Sequence, residues 1–583
     1  MANNFFRFRR LGQLAVLTLT LVCYTGANSQ VVGLGTDNSE NLLGNYLAGR
    51  FANYKRDVNI AIEYYARALK QDPESPVLVE QLFLLEVKAG KWDDAKIRAT
   101  QLIKQEPNHY IARLFLGSMA FKAKNYKLAQ KHFSQAGKSP IAALTTELAI
   151  AWTLVAENKP KAAVKMLGHN RGADGVRSYR YFHRALIADL TKQDKVASDE
   201  YKRLSRGAQS LRVLHAHARY NANKGRFKEA MNLLMPRVLA TTVHPITEKL
   251  YDQIRNKKKP GLIVKTASAG LAEVLYGLGD ALRREGGMDI ALIYLKIGLL
   301  LHPELDEAND SLAEVYERTG KHDEAITTYA KVTKESPLWP RAQIRKAVNY
   351  NSLGQVEKSK ELLDKLSALQ PTEIGPLDTL GNLMRSHKRY KEAVQYYDKA
   401  IALIKKPGKE HWSHFYSRGV SYERMGNWDM AEKDLKKANQ LDPNQPLVLN
   451  YLGYSWVDQN KNLKLAMKHI RKAVRLRPND GYFVDSLGWA HYRLGNYELA
   501  VRALERAVLL KPDDPVINDH LGDAYWKVGR KRESGFQWSQ ALSLKPEEKV
   551  KVELLRKLKE GLERGKTKDA AQLDLKDKKT VKK

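Results

Sequence analysis

The 583-residue sequence has one cysteine, Cys23, and far fewer acidic than basic residues. A single cysteine excludes an intramolecular disulfide and any metal site built from several thiolates. Asp and Glu number 65 against 98 Lys and Arg, so the formal net charge is +33. Such a charge favours an anionic partner or surface but does not determine the fold. No apolar run reaches the length of a comfortable membrane span.

The first 29 residues have the layout of an export signal. MANNFFRFRR supplies positive charge, LGQLAVLTLTLVC supplies a short apolar run, and YTGANSQ supplies the small residues Ala27 and Ser29. We expect export and cleavage after Ser29, which also removes Cys23. A retained membrane anchor and lipidation of Cys23 are the alternatives. Val22 disfavours lipidation because a small residue normally precedes the modified cysteine.

Prolines recur through the C-terminal half at a spacing of 34 or 35 residues, with one interruption by a short insertion between Pro371 and Pro443. When each proline takes position 32 of a 34-residue unit, small residues fall at positions 8 and 20 and aromatic residues at position 11. LGWAHYRLGNYELAVRALERAVLLKP (487–512) and LAEVYERTGKHDEAITTYAKVTKESP (312–337) both show the pattern. The prolines are Pro303, Pro337, Pro371, Pro443, Pro478, Pro512 and Pro546, and the residues at position 8 are Gly279, Ala313, Ala347, Gly381, Gly419, Gly453, Gly488 and Gly522.

This pattern resembles the tetratricopeptide repeat family. The resemblance implies an all-α fold, a right-handed α-solenoid of about a dozen helix-turn-helix repeats. Small residues at positions 8 and 20 would let the two helices of a repeat approach closely. Large residues at positions 11 and 24 would fill the gap towards the next repeat.

The pattern varies along the chain and predicts five regions after the signal. Residues 42–140 form an N-terminal repeat block, 141–260 form divergent and basic helical repeats, and 272–546 form eight regular repeats. A helical apolar stripe predicts a capping helix over 547–563, which a repeat stack needs on its last open face. The polar segment 564–583 predicts a disordered basic tail. The eight regular units begin at Ala272, Asp306, Pro340, Ile374, Trp412, Pro446, Gly481 and Pro515.

In the tetratricopeptide repeat family, positions 5 and 9 of each first helix line a concave groove that holds an extended peptide. The resemblance therefore implies a groove with acidic and aromatic lining, which would accept a basic or aromatic-containing polypeptide. The alternative is that the acidic residues support their own helices through i,i+4 pairs such as Asp280 with Arg284, Glu314 with Arg318 and Asp523 with Lys527. The groove candidates are Asp280, Asp310, Glu314, Asp378, Asn382, Tyr416, Asn450, Tyr454, Asp485, Trp489, Asp519 and Asp523, with Trp526 as a further exposed aromatic anchor.

A second hypothesis concerns the segment 201–260, which has 14 basic and 3 acidic residues. Lys257, Lys258 and Lys259 within it are candidates for contact with an anionic envelope polymer or membrane surface. The alternative is a solvated face of divergent repeats, since charge runs on helices usually face water. Nucleic acid is disfavoured because of the export signal and because no recognition module is evident.

We find no sequence motif for catalysis, for a cofactor or for a metal. GLERGKT (561–567) has three residues between its glycines where a phosphate-binding loop needs four. His411 and His414 lie three apart, but no third ligand for a metal is near them. The sequence therefore predicts a non-enzymatic protein without a cofactor.

The LGW and LGDAYW units within 485–530 resemble those of bacterial cell-envelope repeat proteins. These relatives include lipoprotein adaptors that present substrates to a periplasmic carboxyl-terminal processing protease. The resemblance implies an exported, periplasmic or envelope-associated scaffold or adaptor of a bacterium. Its partner would be a protein or peptide, such as a periplasmic protease or an envelope assembly factor.

Overall fold

The computed structural model describes residues 41–137, 139–169, 173–206, 210–240 and 243–562, and all regular structure in these residues is helical. The chain divides into two compact units, Met1–Ser359 and Lys360–Lys583. The prediction of an all-α repeat solenoid is confirmed. The predicted signal segment 1–29 and the predicted tail 564–583 lie outside the described residues.

Eighteen helices lie within the described part of the first unit, and a nineteenth, α19 (Val356–Leu369), contains the boundary between the units. The helices of the first unit are α1 (Leu42–Tyr54), α2 (Val58–Gln71), α3 (Pro76–Ala89), α4 (Trp92–Gln105), α5 (Tyr110–Lys122), α6 (Tyr126–Ser134), α7 (Pro140–Ala156), α8 (Pro160–Met166), α9 (Asp174–Leu190), α10 (Asp194–Leu204), α11 (Leu211–Asn223), α12 (Phe227–Val238), α13 (Pro245–Arg255), α14 (Ala267–Arg284), α15 (Met288–Leu301), α16 (Asp306–Arg318), α17 (His322–Tyr329) and α18 (Trp339–Ser352).

The described part of the second unit continues with eleven α-helices and one 3₁₀ turn, Lys409–His411. The helices are α20 (Ile374–Ser386), α21 (Tyr390–Ala402), α22 (Trp412–Arg424), α23 (Trp428–Leu441), α24 (Pro446–Asp458), α25 (Leu463–Leu476), α26 (Gly481–Arg493), α27 (Tyr497–Leu510), α28 (Pro515–Lys527), α29 (Lys531–Ser543) and α30 (Glu548–Glu560).

Successive helices pack as pairs, each followed by a short turn into the next pair. Within 272–546, seven of the eight first helices begin at the residue that the proline spacing marks or one residue before it, and α14 begins five residues earlier, at Ala267. The prolines act as predicted at these turns, because proline cannot continue a helix. The boundary between the two units, after Ser359, lies inside this predicted regular block.

The glycines at position 8 have a more specific role than the sequence suggested. A Cβ on Gly381 would lie 2.5 Å from the Tyr397 ring, and one on Gly522 would lie 2.5 Å from the Trp538 indole. In each case the large side chain comes from position 24 of the same repeat. The residue at position 24 therefore covers the glycine of its own repeat, whereas we expected it to fill the gap towards the next repeat.

The second helix of one repeat also bonds to the turn that ends the preceding repeat. Lys472 Nζ donates to the Pro443 carbonyl at 2.8 Å, and Gln101 Nε2 donates to the Pro73 carbonyl at 2.7 Å. Both carbonyls lie two residues beyond the end of the preceding helix, so the bonds satisfy acceptors of the turn. The proline spacing thus also fixes the register between neighbouring repeats.

The first unit contains a contact between distant repeats that the sequence did not reveal. Helix α15, MDIALIYLKIGLLL, packs on α3 and α5, and α14 packs on α7. Tyr294 Oη lies 3.1 Å from Thr145 Oγ1 and is bonded to Tyr110 Oη, while Lys88 Nζ bonds Asp289 Oδ1 at 2.7 Å. A single apolar core consequently runs from Ala52 to Ala342.

Helix α30 packs on α29 at the end of the second unit. Leu554 is fully buried, whereas Leu555 and Leu558 of the predicted stripe are exposed. No helix among the described residues combines the length and apolarity needed to cross a membrane.

Candidate functional site

A cavity of about 770 Å³ lies in the first unit, where the helices α9, α11, α14 and α16 meet, with α18 at its edge. Tyr276, Asp280, Asp310 and Glu314, which occupy positions 5 and 9 of the first two regular repeats, all line it. The cavity therefore contains the first two pairs of predicted groove positions. Its charged lining is balanced, with six carboxylates and six guanidinium groups: Asp174, Glu273, Asp280, Glu307, Asp310 and Glu314 against Arg177, Arg203, Arg212, Arg283, Arg284 and Arg341.

Arg212 of α11 forms ion pairs with residues of two other helices of the lining, α14 and α16. Its Nε and Nη2 donate to the two carboxylate oxygens of Glu273 at 2.8 and 2.7 Å, and its Nη1 bonds Glu307. Burial alone would raise the pKa of Glu307, but the Arg212 guanidinium, a backbone hydrogen bond and Arg219 together more than offset this and hold the pKa below its usual value. Because a two-pronged arginine fork fixes geometry as well as charge, α11, α14 and α16 are held in one arrangement.

A second ion network follows the wall from α14 to α18. Asp280 accepts from Arg283 at 2.7 Å and pairs with Arg284 at 2.5 Å. Arg283 Nη1 also pairs with Glu314 at 2.7 Å. Arg341 then donates to Asp310 Oδ2 at 2.7 Å from the next repeat. Three arginines and three carboxylates thus alternate along the wall.

Along the wall from α14 to α18, two of the arginines are more exposed than the carboxylates that they pair with. The side chains of Asp280 and Asp310 are 10% and 8% exposed, whereas those of Arg284 and Arg341 are 65% and 40% exposed. On the α14 to α18 side of the cavity, a ligand therefore meets the guanidinium groups of Arg284 and Arg341 before the carboxylates of Asp280 and Asp310. On the α9 side the order differs, because the Asp174 side chain is 76% exposed. The prediction of a groove that attracts basic polypeptides rested on positions 5 and 9 alone, and these arginines lie outside those positions.

Burial shifts the titration of several groups in the cavity. It raises the pKa of Asp310 to about 6, because Arg341 offsets the loss of water only in part and Oδ1 has no hydrogen-bond partner among the described residues. Burial, with a contribution from Arg212, lowers the pKa of His215 to about 3. Burial and then Arg341 also lower the pKa of His244. Both histidines are therefore neutral at pH 7, and the arginines are the cationic groups at the opening of the cavity.

The predicted groove residues of the second unit bond mainly to the first helix of the next repeat. Asp378 Oδ1 contacts His414 Nδ1 at 2.7 Å, and Asp485 Oδ1 contacts His520 Nδ1 at 2.9 Å. Asn450 Nδ2 donates to Ser486 Oγ at 3.1 Å. These contacts stabilise the stacking of repeats and leave fewer free acidic groups than the sequence suggests.

The last repeat shows the same arrangement with the capping helix as its neighbour. Lys557 of α30 donates to Asp519 Oδ1 at 2.7 Å and to Asp523 Oδ2 at 2.9 Å. Trp538 Nε1 donates to Asp523 Oδ1 at 2.9 Å. Asp519 and Asp523 thus serve as the docking site of the cap. The predicted pair of Asp523 with Lys527 is wrong, and so is that of Glu314 with Arg318, whereas the Asp280–Arg284 pair is present.

The remaining groove candidates lie on the first helices of the repeats in the second unit. Trp489 stacks between Tyr492, at a centroid distance of 4.7 Å, and His520, at 4.1 Å. Trp526 packs on Trp538 at 5.4 Å and beneath Lys531 Nζ at 3.5 Å. The others are half-buried: Asn382 accepts from Tyr397 Oη at 2.9 Å, Tyr416 meets the edge of Tyr451 at 5.7 Å, and Tyr454 lies near Asp485.

Lys257, Lys258 and Lys259 lie exposed in the loop after α13, and none of them forms an ion pair within the described part of the chain. The pair His411 and His414 has a ring separation of 6.1 Å, and Asp378 engages His414. Searching the described residues gives no cluster of three or more His, Cys, Asp or Glu side chains that could hold a metal ion.

The sequence did not reveal the basic residues that pair with these acidic groove candidates. Arg341 lies 31 residues after Asp310, His520 lies 35 after Asp485, and Lys557 lies 38 after Asp519. A search for acidic and basic residues separated by about one repeat length would have found them. A search confined to i,i+4 spacing could not.

Comparisons with known proteins agree with this architecture. Three family models described as "Tetratricopeptide repeat" match this chain, one at residues 81–140 and 276–340, another at 377–406 and the third at 415–445. A fourth model, described as "TPR repeat", matches 488–529. Paired helices, position-8 glycines and these matches define a helical-repeat scaffold. The chain is a tetratricopeptide-repeat protein.

Individual relatives share only part of the chain. A TPR repeat-containing protein of Pseudomonas aeruginosa is 28% identical over 199 residues, which are 33% of this chain and 32% of that protein. The Hsp70-Hsp90 organizing protein of Triticum aestivum is 25% identical over 139 residues, 24% of this chain and 22% of that one. Among solved structures, Cut9–Hcn1 shares 14% identity and a TM-score of 0.37 and covers 88% of this chain and 95% of its own. The chain thus spans about a third or less of the length of these curated relatives.

Proposed function

We propose that this protein is a non-enzymatic scaffold that binds a polypeptide in the cavity of its first unit. The observation that carries the proposal is the arginine layer, with Arg284 and Arg341 exposed above buried carboxylates. The cavity volume of about 770 Å³ is within the range of binding pockets. Apolar and aromatic walls beside the arginines, including Tyr179, Phe182 and Leu338, provide room for side chains.

The exposed arginines favour a ligand with carboxylate groups. Arg284 already has one carboxylate partner and Arg341 has two, yet each guanidinium presents five N–H donors and so retains donors for another carboxylate. Ordered arginine forks bind carboxylates with two parallel hydrogen bonds, which gives geometric selectivity. An acidic polypeptide segment is therefore the ligand class that this wall fits best.

Two short fluorescent peptide pools of equal length test the proposal, one rich in Asp and Glu and the other rich in Lys and Arg. We expect the full chain to bind the acidic pool, with affinity lowered about tenfold in Arg284→Gln, since a charge-assisted hydrogen bond is lost. Arg255→Gln is the matched control, because Arg255 is 61% exposed and paired within its own helix, outside the cavity. Preference for the basic pool, or equal losses in both variants, would contradict the proposal.

We further propose that the scaffold is exported and acts in the cell envelope of a bacterium, as an adaptor for a periplasmic protease or an envelope assembly factor. The signal-like layout of residues 1–29 supports export. Fractionation of cells followed by N-terminal sequencing of the mature protein tests this, with Gln30 expected as the first residue in the envelope fraction. Recovery of the intact N-terminus from the cytoplasm would refute it.

The alternative function, contact of Lys257, Lys258 and Lys259 with an anionic surface, remains a prediction. In its favour, the three side chains are exposed and have no ion-pair partner within the described part of the chain. Their substitution is included in the vesicle experiment described below.

A further inference from the structure

The most one-sided charge in the chain lies in the second unit, on helix α25 and its flanks. Residues 461–477, KNLKLAMKHIRKAVRLR, contain seven Lys and Arg residues and no Asp or Glu. The second helices of the neighbouring repeats, α21, α23, α27 and α29, each contain acidic residues. Within α23, Glu432 pairs with Lys436, and at the start of α29, Glu533 pairs with Arg530.

Four of the seven cations form one exposed row on α25. The opposite face of the helix, with Ala466, Met467, Ile470, Ala473 and Val474, is buried against the repeats. Lys464, Lys468, Arg471 and Arg475 are exposed at i, i+4, i+7 and i+11, which places them on one face about 16 Å long. None of these four forms an ion pair with any residue that the structure describes.

The row also has an apolar flank. Leu465 and Leu476 are 43% and 44% exposed. At 100° per residue both fall about a quarter of a turn from the cationic row, on the same side of the helix and near its two ends. Lys472 lies between them and is anchored to the Pro443 carbonyl. A rigid row of unpaired cations with apolar side chains beside it matches the headgroup and upper acyl region of an anionic bilayer.

We propose that α25 docks the protein peripherally on an anionic phospholipid surface. Lys464, Lys468, Arg471 and Arg475 contact the phosphate-bearing headgroups, and Leu465 and Leu476 enter the interface beside them. The apolar face of α25 stays in the repeat core, so docking needs no unfolding. No aromatic side chain lies in the exposed row, so it lacks the platform on which the bases of a single-stranded nucleic acid stack.

Sedimentation of the full chain with phosphatidylglycerol-containing vesicles, against vesicles of phosphatidylcholine alone, tests the proposal. We expect binding only to the anionic vesicles, with a steep loss as salt is added. Each neutralised cation should lower the partition coefficient about fivefold. The variant Lys464→Gln, Lys468→Gln, Arg471→Gln, Arg475→Gln should therefore lose nearly all binding. Its fold is checked by circular dichroism.

The matched control is Lys391→Gln, Lys399→Gln, Lys405→Gln, Lys406→Gln, which removes the same charge from exposed positions elsewhere in the second unit. It should bind as the unsubstituted chain does. An equal loss in both variants would show a net-charge effect and overturn the site. If vesicle binding is lost on substitution of Lys257, Lys258 and Lys259 instead, the membrane-binding surface lies in the first unit and the proposal is overturned. Binding of single-stranded RNA with the same variant dependence, without binding to vesicles, would assign the row to nucleic acid and overturn the proposal.

Discussion

The indole of Trp152 lies 2.3 Å from the point that a Cβ on Gly270 would occupy, although the two residues are 118 positions apart. Trp152 is fully buried on α7, and Gly270 lies in the first turn of α14. This contact joins α7, in the predicted divergent block 141–260, to the hairpin of α14 and α15. It shows that a helix of the divergent block packs on another part of the same unit.

Gly270→Ala should therefore destabilise the first unit, because neither the ring of Trp152 nor the backbone of α14 has room to move freely. Overpacking of this kind costs about 1 to 3 kcal/mol. Urea unfolding followed by Trp fluorescence measures it. Gly277→Ala, on the same helix, places its Cβ at an ordinary 3.4 Å from Tyr179 and should leave stability unchanged or slightly increased. Equal stability of both variants would show that the contact is not tight.

Glu86 predicts a pH dependence of stability. Burial raises the pKa of this α3 carboxyl from 4.5 to about 7, and Arg98, at 3.8 Å, offsets this only in part. Asp94 and Lys91 of the facing segment act in opposite directions. The folded state thus holds a proton that the unfolded state has released, so the contribution of Glu86 to stability is lost as pH rises from 4.5 through 7.

Glu86→Gln removes this dependence. At pH 8 the variant should exceed the unsubstituted chain in free energy of unfolding by about 1 to 3 kcal/mol, and at pH 5 the two should be nearly equal. Glu106→Gln, with an exposed side chain, is the control and should show no pH-dependent difference. If Glu86→Gln is the less stable protein at pH 8, the carboxylate is ionised and well paired, contrary to this account.

Lys557 predicts how the capping helix is held. Its ammonium group is buried between Asp519 and Asp523, so Lys557→Met leaves two carboxylates without their partner. Removing one side of a buried ion pair costs about 3 kcal/mol or more. Hydrogen exchange of α28 to α30 should rise accordingly, while α20 to α22 remain protected. Lys559→Met, on the exposed face, should change nothing, and adding Asp523→Asn to Lys557→Met should restore part of the protection.

The repeat architecture could be predicted because it depends on residues that are close together in the sequence. Pro446 and Pro515 begin helices where the spacing places them, and small residues at position 8 reflect contacts within one repeat. The packing of α15 on α3 and α5 could not be predicted from spacing, since it joins segments some 200 residues apart, as in the bond of Lys88 to Asp289. The one available signal was composition: MDIALIYLKIGLLL is apolar on all sides, which indicates burial on both faces.

The candidate site was predicted only in part for a similar reason. Asp280, Asp310 and Glu314 line the cavity as positions 5 and 9 imply. Their depth could not be predicted from sequence, because exposure depends on where Arg284 and Arg341 place their guanidinium groups. The charge that a ligand meets depends on which of these side chains is more exposed, and the composition of the sequence does not determine this.

Site-specific photo-crosslinking tests the central claim, that the cavity of the first unit binds an acidic polypeptide, most directly. A benzophenone amino acid replaces Tyr276 in the cavity or, as the control, Tyr454 in the second unit, and each protein is irradiated with the acidic and the basic peptide pools. We predict crosslinks from position 276 to the acidic pool, competed by unlabelled acidic peptide and absent from position 454. Crosslinks that form only with the basic pool, or only from position 454, would contradict the account.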